Sequence, residues 1–302
     1  MSIEATATLL REVFPAATRI SEVAYLRWLY EQSPFGPAIE ANRDDALGRA
    51  GHYAIVPIDL IENGQPQQAA LSLNTAVHER ARGEGLFVGL ATATYEQARA
   101  AGIEAVIGVG NANSTPGLER RLGFEVVTPL PTTMLAPTPG RTTAVDSAWA
   151  SAAAFEPGGV AADVERLLQP PATGIARAWT PETLRWRLAS PGSRYALHRA
   201  DDALVVTELD RRWGMPVAVV LKIFAAAPFD KPTSRALVRA ACRFHRAPFA
   251  LHVGLDDMVE LRGLPLPRRL LPSPLNLVYR RLDGGPRTSP IMRLEFLDFD
   301  AY

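Results

Sequence analysis

Cysteine is almost absent from this chain: Cys242 is the only one in 302 residues. That excludes an intrachain disulfide framework and any cysteine-rich metal site, and no metal is expected. Net charge is absent too, with Lys+Arg 32 against Asp+Glu 32, so neither nucleic acid nor an anionic membrane has an electrostatic claim on it. Lysine is scarce. Lys222 and Lys231 are the only two, and with abundant alanine this reads as genome composition rather than function. No segment has the uninterrupted apolar length of a membrane span, and the opening MSIEATATLLREVFPAATRI lacks a basic start followed by an apolar block. A cytoplasmic protein with small partners is expected. What the chain does have is size: with 47% hydrophobic residues it can bury a core for one large domain or two ordinary ones.

The stretch from Val77 to Phe87, VHERARGEGLF, sets a glycine-punctuated turn between two regular runs. Ahead of it, Ala69 to Val77 partly alternates apolar and polar residues, as a half-buried strand does. Behind it, Leu86, Leu90, Ala93, Ala98 and Ala101 recur at helical spacing with Tyr95 beside them, until Gly102 stops the run. The turn therefore opens a helix, whose first N–H groups lack partners and carry the positive end of the helix dipole. Gly83 and Gly85 have no Cβ to hold a phosphate away from those amides, and Arg80 and Arg82 add positive charge. A pyrophosphate fits such a turn. A plain surface loop looks the same, so the residues that follow must decide.

Ile103 to Val109 is a short apolar run ending in Gly110, a second strand soon after the helix. Asn111, Asn113, Ser114 and Thr115 can then cap a short helix with Pro116 in its first turn and Leu118 and Leu122 on its apolar side. Gly123 ends that helix, and Phe124 to Val127 resumes a strand.

This order and these residues resemble the GNAT superfamily of acyl-CoA-dependent N-acyltransferases. The resemblance implies an α/β (α+β) mixed sheet, a GNAT fold over residues 1–135, in which an Arg-x-x-Gly-x-Gly/Ala turn holds the CoA pyrophosphate through backbone amides. Two registers fit: Arg82, Gly85 and Phe87, with Val77 at the usual distance upstream and Phe87 replacing the small residue, or Arg80, Gly83 and Gly85. The implied cofactor residues are Ala76, Val77, Arg80, Arg82, Gly83, Glu84, Gly85, Leu86 and Phe87. Asn111 and Asn113 compete to be the family's pantetheine-contacting asparagine, with Ser114 beside them, and Gly123-Phe124 matches the Gly-Phe that ends the short helix. Where many members carry a Tyr that protonates the departing thiolate, this chain has Glu119, a poor donor unless its pKa is raised.

The resemblance implies acetyl-CoA as acyl donor and a primary amine of a small molecule as acceptor, such as an amino sugar or amino-acid derivative. Such a transfer needs a way to deprotonate an ammonium, a donor to the thioester oxygen and a proton for the thiolate. In the family the oxygen donor is a backbone N–H, here near Ala76 or Val77. For the base, His78, Glu79, His52 and Asn74 stand near the end of the cofactor strand. His78 has a suitable ordinary pKa but also the position of a plain surface histidine. Asn74 can only orient water, and His52 fits a structural hydrogen-bonding role. On the acceptor side Tyr25, Trp28, Tyr30 and Phe35 precede the first sheet, with Tyr30 the preferred polar group and Trp28 also explained by core packing.

The Pro-, Thr- and Gly-rich stretch Thr128 to Thr143 is the expected boundary, part of which can be a β-hairpin. Beyond it, residues 145–302 carry an echo of the first half: Leu26-Arg27-Trp28 with Ser33-Pro34 matches Leu184-Arg185-Trp186 with Ser190-Pro191. A tandem protein is expected, its second, degenerate GNAT-like domain having a buried strand at Pro216 to Phe224 and a helix at Thr233 to Arg246. The intervening loop AAAPFDKPTS has no CoA cradle. That domain would shape the acceptor pocket, support the first or form a homodimer. After the proline- and arginine-rich Pro265 to Pro274, the ending LEFLDFDAY reads as a final strand whose Glu295, Asp298 and Asp300 hold a cationic amine or protect an exposed edge. Two alternatives to the N-acetyltransferase stand beside it: an aminoacyl-tRNA-dependent aminoacyltransferase, disfavoured by the neutral charge, and a non-catalytic acyl-CoA-binding or assembly protein.

Overall fold

A computed structural model of the protein describes residues 2–140, 143–162, 164–228, 231–259, 261–267 and 273–299. The first half runs through helices α1 (Ile3–Val13) and α2 (Val23–Glu31), strands β1 (Ile39–Asp45), β2 (Gly48–Glu62) and β3 (Gln65–Val77), α3 (Leu86–Ala100), β4 (Ala105–Gly110), α4 (Thr115–Leu122), β5 (Glu125–Pro129) and β6 (Thr132–Leu135). The second half continues with β7 (Asp146–Trp149), α5 (Val164–Leu167), β8 (Ile175–Arg177), α6 (Pro181–Leu188), β9 (Ala196–Ala200), β10 (Ala203–Arg212), β11 (Met215–Ala225), α7 (Lys231–His245), β12 (Ala250–Leu255), β13 (Leu264–Pro265), β14 (Asn276–Arg281) and β15 (Ile291–Glu295). Among the described residues no helix is long and apolar enough to cross a membrane.

The fold is built on one mixed sheet. Its longest strand, β2, is buried on both faces: Tyr53 and Ile55 pack with α3 and α4, while Ala54 and Val56 pack with α1 and α2. That double burial makes GHYAIVPIDLI a nearly continuous apolar run instead of an alternating one. β2 and β3 form an antiparallel hairpin through Asn63-Gly64, both with positive φ as a two-residue turn demands, and β4 lies parallel to β3 across α3. The second half repeats that order. β10 and β11 are antiparallel around Trp213-Gly214, α7 crosses over, and β12 lies parallel to β11.

The two halves exchange strands. β14 lies antiparallel between β4 and β5, so residues 276–281 complete the first-half sheet. β6 moves the other way: it forms no hairpin with β5 and pairs antiparallel with β12. β8 and β15 join the two parts, β8 to β2 and β15 to both β8 and β12. One core cluster accordingly holds Leu60, Leu71 and Ile107 together with Val206, Val219, Leu277 and Leu297.

The C-terminal acidic residues correct their sequence reading. β15 stops at Glu295, Phe296–Asp298 make one 3-10 turn, and both acids are buried. Lys222 Nζ lies 2.9 Å from Glu295 Oε2 and 2.8 Å from Asp298 Oδ2, and His252 Nε2 is 2.9 Å from Glu295 Oε1. Glu295 and Asp298 therefore neither guard an exposed edge nor await an amine, and Asp300 lies outside the described residues. Gly254 permits the close approach of β15 to β12, since a Cβ there would sit 2.3 Å from the Leu294 carbonyl oxygen.

Candidate functional site

β3 and β4 pair from Ala69 opposite Ala105 to Ser72 opposite Gly108, and then part. The cause lies within β3. Asn74 is left-handed at φ 51°, and the β2–β3 register slips between His52 and Ala54. An extra residue bends a strand out of its ladder, and asparagine tolerates the left-handed region better than other residues with a Cβ. Between the parted strands lies a cavity of about 820 Å³, the size of a small-molecule site. Leu73, Asn74, Thr75 and Val77 wall it from β3, Val109 from β4, and Phe14 and Ile20 from the segment that follows α1.

His78 N–H donates to the Ala50 carbonyl at 2.9 Å, so the alternation of an antiparallel ladder turns the Val77 N–H away from β2, to the side β4 has left. Ala76 faces β2, with its side chain buried among α1 and α2. Of the two backbone donors expected here, Val77 is the one that addresses the cavity.

The turn after β3 is built by its own side chains. His78 Nδ1 accepts the Arg80 N–H at 3.2 Å and so caps the 3-10 turn Glu79–Ala81, while its Nε2 lies 3.6 Å from Glu12 Oε2. His78 is thus engaged by the turn and α1 and stands outside the cavity wall. Arg80 is held by Asp45 Oδ2 at 2.8 Å and the Arg49 carbonyl at 3.0 Å, whereas Arg82 has no ion pair among the described residues. Gly83 and Gly85 sit at φ 90° and 73°, and a Cβ on either would meet nothing within 4 Å. The backbone demands glycine there while leaving the space above the turn open. Gly85 caps α3 without a side chain, so the first N–H groups of that helix await an external acceptor. Glu84 is exposed and Leu86 half-buried against the Tyr53 cluster.

Phe87 does not close the turn. Its ring lies 6.2 Å from that of Tyr53 and walls the cavity above Gly117, where a Cβ would come within 3.3 Å of it. Asn111 uses its Oδ1 to accept the N–H groups of Asn113 and Ser114 at 2.9 and 3.0 Å, an Asx turn that starts α4. The Asn113 side chain has no partner among the described residues and borders the cavity beside Ser114. On α4, residues 117, 120 and 121 share the cavity side, which puts Glu119 on the opposite, exposed side. Glu119 is therefore misplaced for proton donation to a ligand in the cavity.

Several residues escaped the sequence reading because nothing local marks them. Arg120 and Arg121 bring positive charge to the wall. Asn276 on β14 donates to Thr115 Oγ1 at 3.0 Å, and Ser273 Oγ accepts the Ala112 N–H at 3.1 Å, so the exchanged strand buttresses the β4–α4 turn. Ser72, where the strands part, shares a hydrogen bond of 3.0 Å with Tyr53 Oη, which bonds in turn to Tyr95 Oη. Behind Asn74 runs a chain that is buried at Tyr30 and His52 and half-buried at its ends: Asn74 Nδ2 to Tyr30 Oη at 3.2 Å, Tyr30 Oη to His52 Nε2 at 3.0 Å, His52 Nδ1 to Asn42 Oδ1 at 2.7 Å, and Asn42 Nδ2 to Glu40 Oε2 at 3.2 Å. Burial, aided by Arg49, pulls the His52 pKa down to about 3, so its ring is neutral and Nε2 can accept. Tyr30 lies one residue behind the wall. Trp28 is farther off, stacked on Trp186 with ring centroids 4.6 Å apart.

No protein-family model matches the sequence, and no curated protein matches it by sequence. Solved structures do match in shape. A GCN5-related N-acetyltransferase from Anabaena variabilis is similar at TM-score 0.66 and 13% identity, over 93% of this chain and 70% of that one. One from Kribbella flavida matches at TM-score 0.59 and 16% identity, over 93% and 69%. The Saccharomyces cerevisiae N-myristoyltransferase, solved with bound myristoyl-CoA, matches at 0.56 and 11%, over 92% and 79%. The chain has the GNAT fold, a mixed α/β sheet flanked by helices.

Proposed function

We propose that the protein is an acyl-CoA-dependent N-acyltransferase that moves an acetyl or short acyl group to a primary amine of a small molecule. The observation that carries this is the cavity opened where β3 and β4 part, with Val77 and Phe87, the residues that bracket the open glycine turn, both in its wall. Similar proteins named as N-acetyltransferases, and one holding an acyl-CoA, support the reading. In it, the α3 N-terminus, Gly83, Gly85 and Arg82 hold the pyrophosphate, Asn113 borders the pantetheine, and the Val77 N–H donates to the thioester oxygen. Attack by the amine nitrogen forms the C–N bond as the C–S bond breaks. The electron pair leaves on sulfur, and the proton lost from nitrogen passes through water to that sulfur, giving the amide and free CoA thiol. We read residues 145–302, with β14 given to the first sheet and β6 taken from it, as a second GNAT-like unit whose corresponding strand gap is filled by β15 and its 3-10 turn.

Calorimetry with acetyl-CoA tests this. Micromolar binding by the wild type and at least about a hundredfold weaker binding by Gly85→Glu are expected, because the variant puts bulk and negative charge where the pyrophosphate sits. Gly85→Asn, which tolerates positive φ, controls for folding. Equal affinity in wild type and a folded Gly85→Glu would remove the cradle from the account.

A further inference from the structure

Arg82, Arg120 and Arg121 are all exposed, and none has an ion pair among the described residues, but they are not placed alike. Arg82 follows the 3-10 turn at the foot of the glycine loop, with Glu84 two residues on. Arg120 and Arg121 belong to α4 and line the cavity. Position along that helix separates their tasks. Ser114, at its head, borders the cavity just past the end of β4. One turn on, Gly117 meets the first turn of α3, where a Cβ on it would come within 3.3 Å of the Phe87 ring. Arg120 and Arg121 stand about 5 Å farther along the axis and about 60° and 40° to either side of the Gly117 direction. A ligand that passes over Gly117 and Phe87 therefore meets both guanidinium groups. Glu119 points to the far side of α4 and leaves their charge to the cavity.

A ligand laid along this wall must present its groups in a fixed order: one at the strand gap, one at the α3 N-terminus, and one at the arginine pair. Acyl-CoA has that order, with the thioester first, the pyrophosphate next and the ribose with its 3′-phosphate beyond. Charge agrees with it. The open amides of the turn, the helix dipole and Arg82 answer the pyrophosphate. A phosphomonoester adds about −1.5 to −2 at neutral pH, which two guanidinium groups match, and their planar forks suit its oxygens. Resting on the acyl-CoA reading above, we propose that Arg120 and Arg121 form a phosphomonoester subsite that takes the 3′-phosphate of the donor. The site thereby distinguishes CoA from its 3′-dephospho form.

The test is calorimetry on the full chain with acetyl-CoA and acetyl-3′-dephospho-CoA. The wild type is expected to bind the dephospho form about thirtyfold more weakly. The double variant Arg120→Gln, Arg121→Gln should lose acetyl-CoA affinity by the same factor and keep its affinity for the dephospho form within about twofold, which erases the preference. Gly85→Glu, in contrast, should weaken both donors alike. Equal affinity of the wild type for the two donors, a comparison that needs no variant, would overturn the proposal. So would a preference that survives in the folded double variant. An unchanged acetyl-CoA Kd in that variant, with a raised KM for an anionic acceptor such as glutamate, would give the arginines to the acceptor and overturn it equally. A wild type that binds neither donor would defeat the acyl-CoA reading itself, and the subsite with it.

Discussion

At Lys222, burial and charge pull in opposite directions. Burial alone would lower the pKa of its ammonium, but Asp298 and Glu295 outweigh that and hold it above the ordinary lysine value. Glu295 stays ionised for the complementary reason: burial pushes it up, and Lys222 and His252 bring it below the usual carboxylate range. Trp179 Nε1 and Arg177 complete the set by donating to Asp298 Oδ1 and to its carbonyl, both at 2.8 Å. Removing one charge leaves the others buried and unbalanced, so Lys222→Met is expected to cost about 3–5 kcal/mol. Urea denaturation of the variant measures it, and an unchanged midpoint would show that the carboxylates do not depend on the lysine.

Helices α2 and α6 meet through Trp28 and Trp186, whose rings are nearly parallel at 17°. The Leu-Arg-Trp echo in the sequence marks this contact, although it does not say that the two copies touch. Truncating either ring should destabilise the protein by about 3–5 kcal/mol, and a double-mutant cycle should leave a coupling of about 0.5–1.5 kcal/mol. Additive effects would mean that each ring packs independently.

Local elements were the legible ones. The glycine turn, the Asx turn of Asn111 ahead of α4 and the left-handed Gly123 that ends that helix all follow from residues adjacent in sequence, although Ser114 makes no side-chain cap. What stayed hidden depends on partners far away. Asn276–Arg281 has no mark that sends it between β4 and β5, since strand order is settled by long-range pairing. The hydrogen-bonded chain behind Asn74 gathers positions 30, 40, 42, 52 and 74 from three strands and a helix, so Tyr30 could be singled out but its connection to Asn74 could not. Glu295 and Asp298 looked like surface charges because Lys222 belongs to another strand.

Over the whole molecule, buried histidines set the response to acid. Burial lowers His52 and His198 to about 3 and His245 to about 4, from 6.5. Below pH 6.5 the unfolded chain takes up protons on these three that the folded chain refuses. Asp256 opposes them: burial and Glu295 raise it from 3.8 to about 7, so the folded form already holds a proton there. Three histidines outweigh Asp256 and Glu208, which burial also raises, so the unfolded state holds more protons and stability should fall as pH drops from 6 to 5. Scanning calorimetry across that range checks the sign; a thermal midpoint that rises on acidification would contradict it.

The exchange of β14 and β6 has a consequence in time. Every residue of the cavity wall between β3 and α4 has been synthesised by position 121, yet the strand that lies beside β4 and props the turn into α4 is residues 276–281. A ribosome must therefore add more than half the chain again before the first-half sheet can close. Until then β4 and β5 present unpaired edges to one another and to any neighbour. A frameshift or stop codon just ahead of Asn276 would spare every cavity residue and still leave the pocket without its frame.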